Sequence, residues 1–168
     1  MKTLKHLSIE KENRVLLASE RIVRLLIPLL SHNNQDILEG SLFVLANISC
    51  HPKNAVQMLR EGVVKSLIPL LSHNNKEIVL CVAMTLTNIS IPEENKIPMC
   101  REGVVNSLAP LLSHNNEQIV YCVAITLNNL SLSKTNRIPI FKEGIVRFLI
   151  PLLSHNNQEI VVESIRTL

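Results

Sequence analysis

An all-α solenoid is the fold this sequence predicts, on three observations. The tetrapeptide SHNN stands at residues 31–34 and returns at 72–75, 113–116 and 154–157, an unbroken interval of 41. Self-similarity at this period signals stacked supersecondary units, none of which can bury its apolar face alone. At the same offset Pro28, Pro69, Pro110 and Pro151 align, as do Gly62, Gly103 and Gly144, and Asn47, Asn88 and Asn129. Composition agrees: 46% of the 168 residues are hydrophobic but 2% aromatic, and only four are Gly, which suits helices packed through Leu, Ile and Val.

One unit, residues 95–135, divides into three helical pieces. The first ends at Gly103, where a residue without Cβ takes the left-handed conformation that stops a helix. Asn95 is its candidate cap, with Pro98 in the first turn, where a missing N–H costs little. The second carries LAPLL, LIPLL in other copies, with leucines on one face. Pro110 falls inside it, so the helix either starts at Ser107 as a cap or kinks. The third, QIVYCVAITLNNL, is apolar nearly all round and suits a helix sandwiched between neighbouring units.

SHNN joins the second piece to the third. The first Asn of each copy precedes Asp36, Glu77, Gln118 or Glu159 by three residues, the spacing of a capping box, and the second Asn then enters the first turn. A metal reading of His32, His73, His114 and His155 meets a distance problem. Helices of successive units lie about 8–10 Å apart, whereas two imidazoles on one zinc bring their nitrogens within roughly 3–4 Å. No metal or cofactor is expected, and SHNN reads as the joint.

Other classes are disfavoured. There is no Gly-rich phosphate loop, no HExxH, and Asp36 is the single Asp, so an enzyme is not expected. Net charge is +3, with Lys and Arg interleaved with Glu and no basic block carrying aromatics, which argues against nucleic acid. No apolar run approaches a membrane span and the amino terminus lacks the apolar middle of a signal peptide, so no membrane association is expected and the location is cytoplasmic, with the nucleus also open. Cys50, Cys81, Cys100 and Cys122 form no CxxC pair and read as small buried or half-buried hydrophobes.

The unit resembles an armadillo repeat: a Gly before V-V-x-x-L-x-x-L-L, a polar turn, then A-x-x-L-x-N-[IL]-S and a further Asn opening the next short helix. The resemblance covers essentially the whole chain. It implies a right-handed α-solenoid of three-helix repeats whose third helices line a concave groove. It also implies that the Asn near the end of each third helix grips the backbone of an extended peptide, here Asn47, Asn88 and Asn129. A carboxamide can pair with a peptide N–H and C=O together. Positions four and eight before each Asn share its face. They are Phe43 and Glu39, Met84 and Leu80, and Ile125 and Tyr121, with Gly40, Cys81 and Cys122 at position seven and Arg166 matching Ile125 one unit on. The groove is expected to be mainly apolar and nearly neutral, with Glu39, Glu163 and Arg166 toward its ends.

Importin-α-like receptors place Trp four residues before the ladder Asn, and this chain has no Trp, which disfavours nuclear-transport function. β-Catenin-like arrays present a strongly basic groove, unmatched here. A non-enzymatic interaction scaffold binding a protein or extended peptide is the reading, with three alternatives: a structural or engineered module, a nuclear-transport-type receptor, and a weak nucleic-acid binder. The two middle units share about 25 of 41 positions, which fits recent duplication or consensus construction. The ladder Asn residues have a second reading, as purely structural groups closing the third helix or bonding the adjacent repeat. Each also opens an N-x-S triplet, formally a glycosylation acceptor, which a helical location makes inaccessible. In this register the array comprises a partial repeat 1–12, repeats 13–53, 54–94 and 95–135, and a truncated repeat 136–168. His6 takes the ladder position in the first, and copies are expected to be able to stack head to tail.

Overall fold

The computed structural model describes residues 2–19 and 21–168. Helix α1 (Lys2–Ile9) leads into α2 (Lys11–Ser19), α3 (Ile22–Leu26) and α4 (Gln35–Ser49). The same triplet then recurs as α5 (Pro52–Arg60), α6 (Val63–Leu67) and α7 (Lys76–Ser90), and as α8 (Glu93–Arg101), α9 (Val104–Leu108) and α10 (Glu117–Ser131). The last is α11 (Lys134–Lys142), α12 (Val146–Leu149) and α13 (Gln158–Thr167). Among the described residues there is no strand, and no helix is long and apolar enough to cross a membrane.

The third helices α4, α7, α10 and α13 pack successively against one another and form the spine of the stack. Leu42, Leu45, Leu86 and Leu127 are fully buried between them. Each such side chain contributes about 1.5–3 kcal/mol of burial, which is why these helices are apolar nearly all round.

Each first helix ends as predicted, at a glycine in the left-handed region: φ is 82° at Gly62, 80° at Gly103 and 71° at Gly144. The equivalent position one repeat earlier is Arg21, also left-handed at φ 59°. An L side chain there costs about 1–2 kcal/mol.

The second helix begins at Val104 directly after Gly103, so Ser107 is not its cap; the Ser107 hydroxyl instead donates to the Gly103 carbonyl at 3.1 Å. Pro110 is the second residue of a 3-10 turn, Ala109–Ser113, into which α9 tightens. Proline has no N–H to donate, and the tighter turn absorbs it near its start.

The first helix also differs from expectation. α8 starts at Glu93, capped by the extended Pro92, which leaves Asn95 at the third helical position and Pro98 inside the helix. Unit boundaries drawn at 54, 95 and 136 therefore fall two residues past the starts of α5, α8 and α11. Asn95 caps nothing. Its Nδ2 donates to the carbonyls of Ile89, 2.8 Å, and Ala55, 3.1 Å, tying the end of α7 and the first helix of the preceding repeat to α8. Asn54 does the same to Ile48 and Arg14, and Asn136 to Leu130 and Lys96. The Ile89 and Leu130 carbonyls belong to the last turn of a helix and have no partner within it, so these buried asparagines supply one, while the Ile48 carbonyl also accepts the His51 N–H at 3.3 Å.

Candidate functional site

The SHNN joint is built from its own side chains. His32 is extended, and its Nδ1 accepts the backbone N–H of Asn34 at 3.0 Å. His73, His114 and His155 repeat this at the same distance. Each histidine is thus part of the turn. The second Asn, not the first, is the cap. The Asn116 Oδ1 accepts from the N–H groups of Gln118 and Ile119 at 2.9 and 3.2 Å, and Asn34, Asn75 and Asn157 cap in the same way. The helix starts one residue later than the capping-box spacing implied. That puts apolar Ile37 or its equivalent at the third position, where no side chain can reach back. The cap amide also reaches the preceding repeat: Asn75 Nδ2 donates to Glu39 Oε1 at 3.2 Å, and Asn157 Nδ2 to Glu117 Oε2 at 3.4 Å.

Asn47, Asn88 and Asn129 sit near the ends of α4, α7 and α10, half-buried. Each donates its Nδ2 to a serine hydroxyl of the preceding repeat at 2.9 Å: Asn47 to Ser8, Asn88 to Ser49 and Asn129 to Ser90. Ser49 and Ser90 close N-x-S triplets, and Ser8 closes the equivalent His6-Leu7-Ser8, so this triplet position is a stitch between repeats. The serine protons are already used, on the carbonyls of Lys5, Ala46 and Thr87 at 2.7–2.8 Å. Each serine oxygen can therefore only accept from the carboxamide, which fixes the NH2 group toward the serine. The three Oδ1 atoms accept no hydrogen bond among the described residues, while the Asn88 NH2 group also reaches the Ala46 carbonyl and Cys50 Sγ, each at 3.5 Å. The NH2 side of each carboxamide is structural and its oxygen is open.

The expected neighbours divide between two clefts. Between α4 and α7, a cleft of about 310 Å³ brings Glu39, Phe43, Asn47, Leu80 and Met84 together. Phe43 is 38% exposed and Met84 47%, unusual for large apolar side chains in a well-packed stack. Between α10 and α13, a cleft of about 350 Å³ joins Tyr121 and Arg166 to Glu159, Val162 and Glu163. Ile125, Asn88 and Asn129 line neither cleft, and Gly40 is buried.

Position counting missed Lys5, Glu77 and Glu159. Lys5 Nζ lies 5.6 Å from the Phe43 ring centroid at the mouth of the first cleft. Its signal was present, since Lys5 stands one period before Ala46, at the tail of the preceding third helix. Together the clefts hold the carboxylates of Glu39, Glu77, Glu159 and Glu163 against the cations of Lys5 and Arg166, which makes the face acidic where near-neutrality was expected. Burial, then Glu159 and Glu163, pushes the Tyr121 phenol up.

The thiols follow burial. Cys81, on the wall of the first cleft, is pushed up to about 11, mainly by desolvation. Burial also raises Cys122 and Cys100. Cys50 departs from expectation in being exposed: it lies at the end of α4, where the chain turns out toward α5.

A family model for kinesin-associated protein matches residues 5–167, nearly the whole chain. The chain belongs to the kinesin-associated protein family. Among curated proteins none matches it. Solved structures of similar fold include a designed armadillo repeat protein in complex with the peptide (KR)4, at 17% identity and a TM-score of 0.90 over 99% of this chain and 71% of that one. An armadillo-repeats-only protein from Plasmodium falciparum matches at 17% identity and a TM-score of 0.84, over 99% of this chain and 78% of that one. An engineered protein matches at 23% identity and a TM-score of 0.90, over 98% and 68%. At such identities the likeness shows the fold. This member of the kinesin-associated family is an armadillo-repeat α-solenoid.

Proposed function

We propose that the chain is a non-catalytic scaffold that holds an extended segment of a partner protein along the face made by α4, α7, α10 and α13. The observation that carries this is the open oxygen of each ladder carboxamide: Asn47, Asn88 and Asn129 keep an unpaired acceptor at regular spacing along the face that also exposes Phe43 and Met84. A peptide backbone offers matching groups at regular intervals, and flanking pockets supply sequence preference. The designed relative with bound (KR)4 supports the capacity of this fold for such a ligand. The family is named for association with kinesin, which makes a kinesin segment the first partner to test.

Selection from a random peptide library, followed by titration against Asn88→Ala and Met84→Ala, tests the reading. Affinity should fall about tenfold in each, the size of one lost charge-free hydrogen-bonded or packed anchor. Unchanged affinity in both rules it out.

A second reading has its own observation. Ile165 and Leu168 are 59% and 57% exposed, while their equivalents Ala124 and Leu127 are fully buried between repeats. That surface has the chemistry of a repeat interface, and head-to-tail stacking of copies is the competing use of it. Sedimentation across a wide concentration range decides, a strictly monomeric profile excluding it.

A further inference from the structure

The two ends of the stack are built as parts of one repeat. At the amino-terminal end, α1 packs against α4 as α4 does against α7, and it closes as a third helix closes. The Ser8 hydroxyl donates to the Lys5 carbonyl at 2.8 Å, as Ser131 does to Asn128. Arg14 Nε donates to the Ser8 carbonyl at 3.1 Å, as Arg137 Nε does to Ser131 at 3.2 Å. Residues 5–9 therefore hold the positions that 128–132 hold at the end of α10. At the other end, a cavity of about 390 Å³ lies beside the last turn of α13, lined by Ile140, Phe141, Leu149 and Leu168 among others. In α10 the turn after Leu127 buries Leu130 completely. Leu168 is the equivalent of Leu127, so the cavity is the space for such a turn. α1 carries that turn, and its Leu7, the equivalent of Leu130, is 43% exposed.

Polar groups at the two ends match in the same register. Asn13 is the third residue of α2, as Asn95 is of α8, but it is half-buried and its side chain makes no hydrogen bond among the described residues. Its counterparts Asn54, Asn95 and Asn136 each donate to a carbonyl of the preceding repeat, those of Arg14, Ala55 and Lys96. The next carbonyl in that run is Arg137's. Glu12 and Lys142 are exposed and form no ion pair among the described residues, and they are the equivalents of Glu94 and Arg60, which pair between repeats at 3.4 Å.

Resting on the stacking reading above, we infer that the occupant of the carboxyl-terminal face is a second copy of this chain, in one register. α13 of one copy and α1 of the next form the third helix of a composite repeat. Leu7 enters the cavity, Asn13 donates to the Arg137 carbonyl across the junction, and Glu12 faces Lys142. Lys2-Thr3-Leu4 and Arg166-Thr167-Leu168 fall on the same positions of that helix, so one of these turns gives way. Leu4 packs on the core while Leu168 is 57% exposed, which makes the α13 turn the one displaced. The contact is heterologous and repeats the interface already present between neighbouring repeats.

Sedimentation velocity of the full chain over a wide concentration range tests this, with variants at exposed positions. Wild-type protein should associate. Glu12→Lys and Lys142→Glu should each weaken association about fivefold, an effect that shrinks as salt is raised. An equimolar mixture of these two variants should regain wild-type association, because each end of one then meets the opposite charge on the other. Asn13→Ala should weaken association about tenfold and leave the melting temperature of the dilute monomer unchanged, since its bond forms only across the junction. Deleting residues 166–168 should tighten association; weakening instead would place that turn inside the contact and overturn the register. Association that ignores both charge variants and Asn13→Ala also overturns the register while leaving the stacking reading in place. A wild-type chain that stays monomeric at every concentration overturns both.

Discussion

Two asparagine series run through this molecule at the same interval of 41. The inner series, Asn54, Asn95 and Asn136, is 1–3% exposed, and each member bonds two backbone carbonyls from different helices. In the outer series, Asn47, Asn88 and Asn129 are half-buried, and each gives one donor to a serine of the preceding repeat with its oxygen open. Residue type and periodicity are identical. What separates a fastening from a contact point is how many of the carboxamide's groups the protein itself satisfies.

The largest effect should come from the inner series. Asn95→Ala leaves the buried Ile89 carbonyl without a partner, at about 1–3 kcal/mol, and removes the additional bond to the Ala55 carbonyl, at about 1 kcal/mol. A loss of about 3 kcal/mol lowers the melting temperature by roughly 6–12 °C in a chain of this length. Calorimetry checks this, and peptide affinity of the remaining folded protein should be unchanged. The outer series should invert the pattern: Asn88→Ala raises Kd for a selected peptide about tenfold while lowering stability by about 1 kcal/mol or less. If both variants lost stability equally, with no change in binding, the two series would be one.

Arg21 tests the turn that phases both series. Arg21→Gly removes a Cβ from a left-handed position and should raise the melting temperature by about 2–4 °C, near 1 kcal/mol. The smallest effect is expected at Ser49→Ala, which removes the acceptor that orients Asn88. Kd should rise about threefold because the carboxamide is no longer held, and Ser49→Thr should restore most of it.

The repeat was legible because its punctuation is chemical. Glycine at a left-handed turn, proline in a tightened helix and an apolar third helix each carry a mechanism that survives without coordinates. The outer series was legible as positions, but its division of labour was not: the acceptor for Asn88 is Ser49, 39 residues away, and no local pattern shows that the serine proton is already used. The inner series was misread as a cap at Asn95 for a similar reason. Its two acceptors come from other helices, and an asparagine ahead of a proline looks like a helix start. In SHNN the error was one residue, because the histidine takes the next Asn N–H and lengthens the turn. The acidic character escaped because Glu77 and Glu159 were assigned to capping, while their side chains line the clefts.

The most direct measurement follows the side-chain amides of all six asparagines by NMR during titration with a selected peptide. The NH2 resonances of Asn47, Asn88 and Asn129 should shift in proportion to occupancy, while those of Asn54, Asn95 and Asn136 stay in place. Shifts confined to the inner series, or a saturated complex in which the outer amides do not move, would contradict the assignment of the outer carboxamides to the partner's backbone.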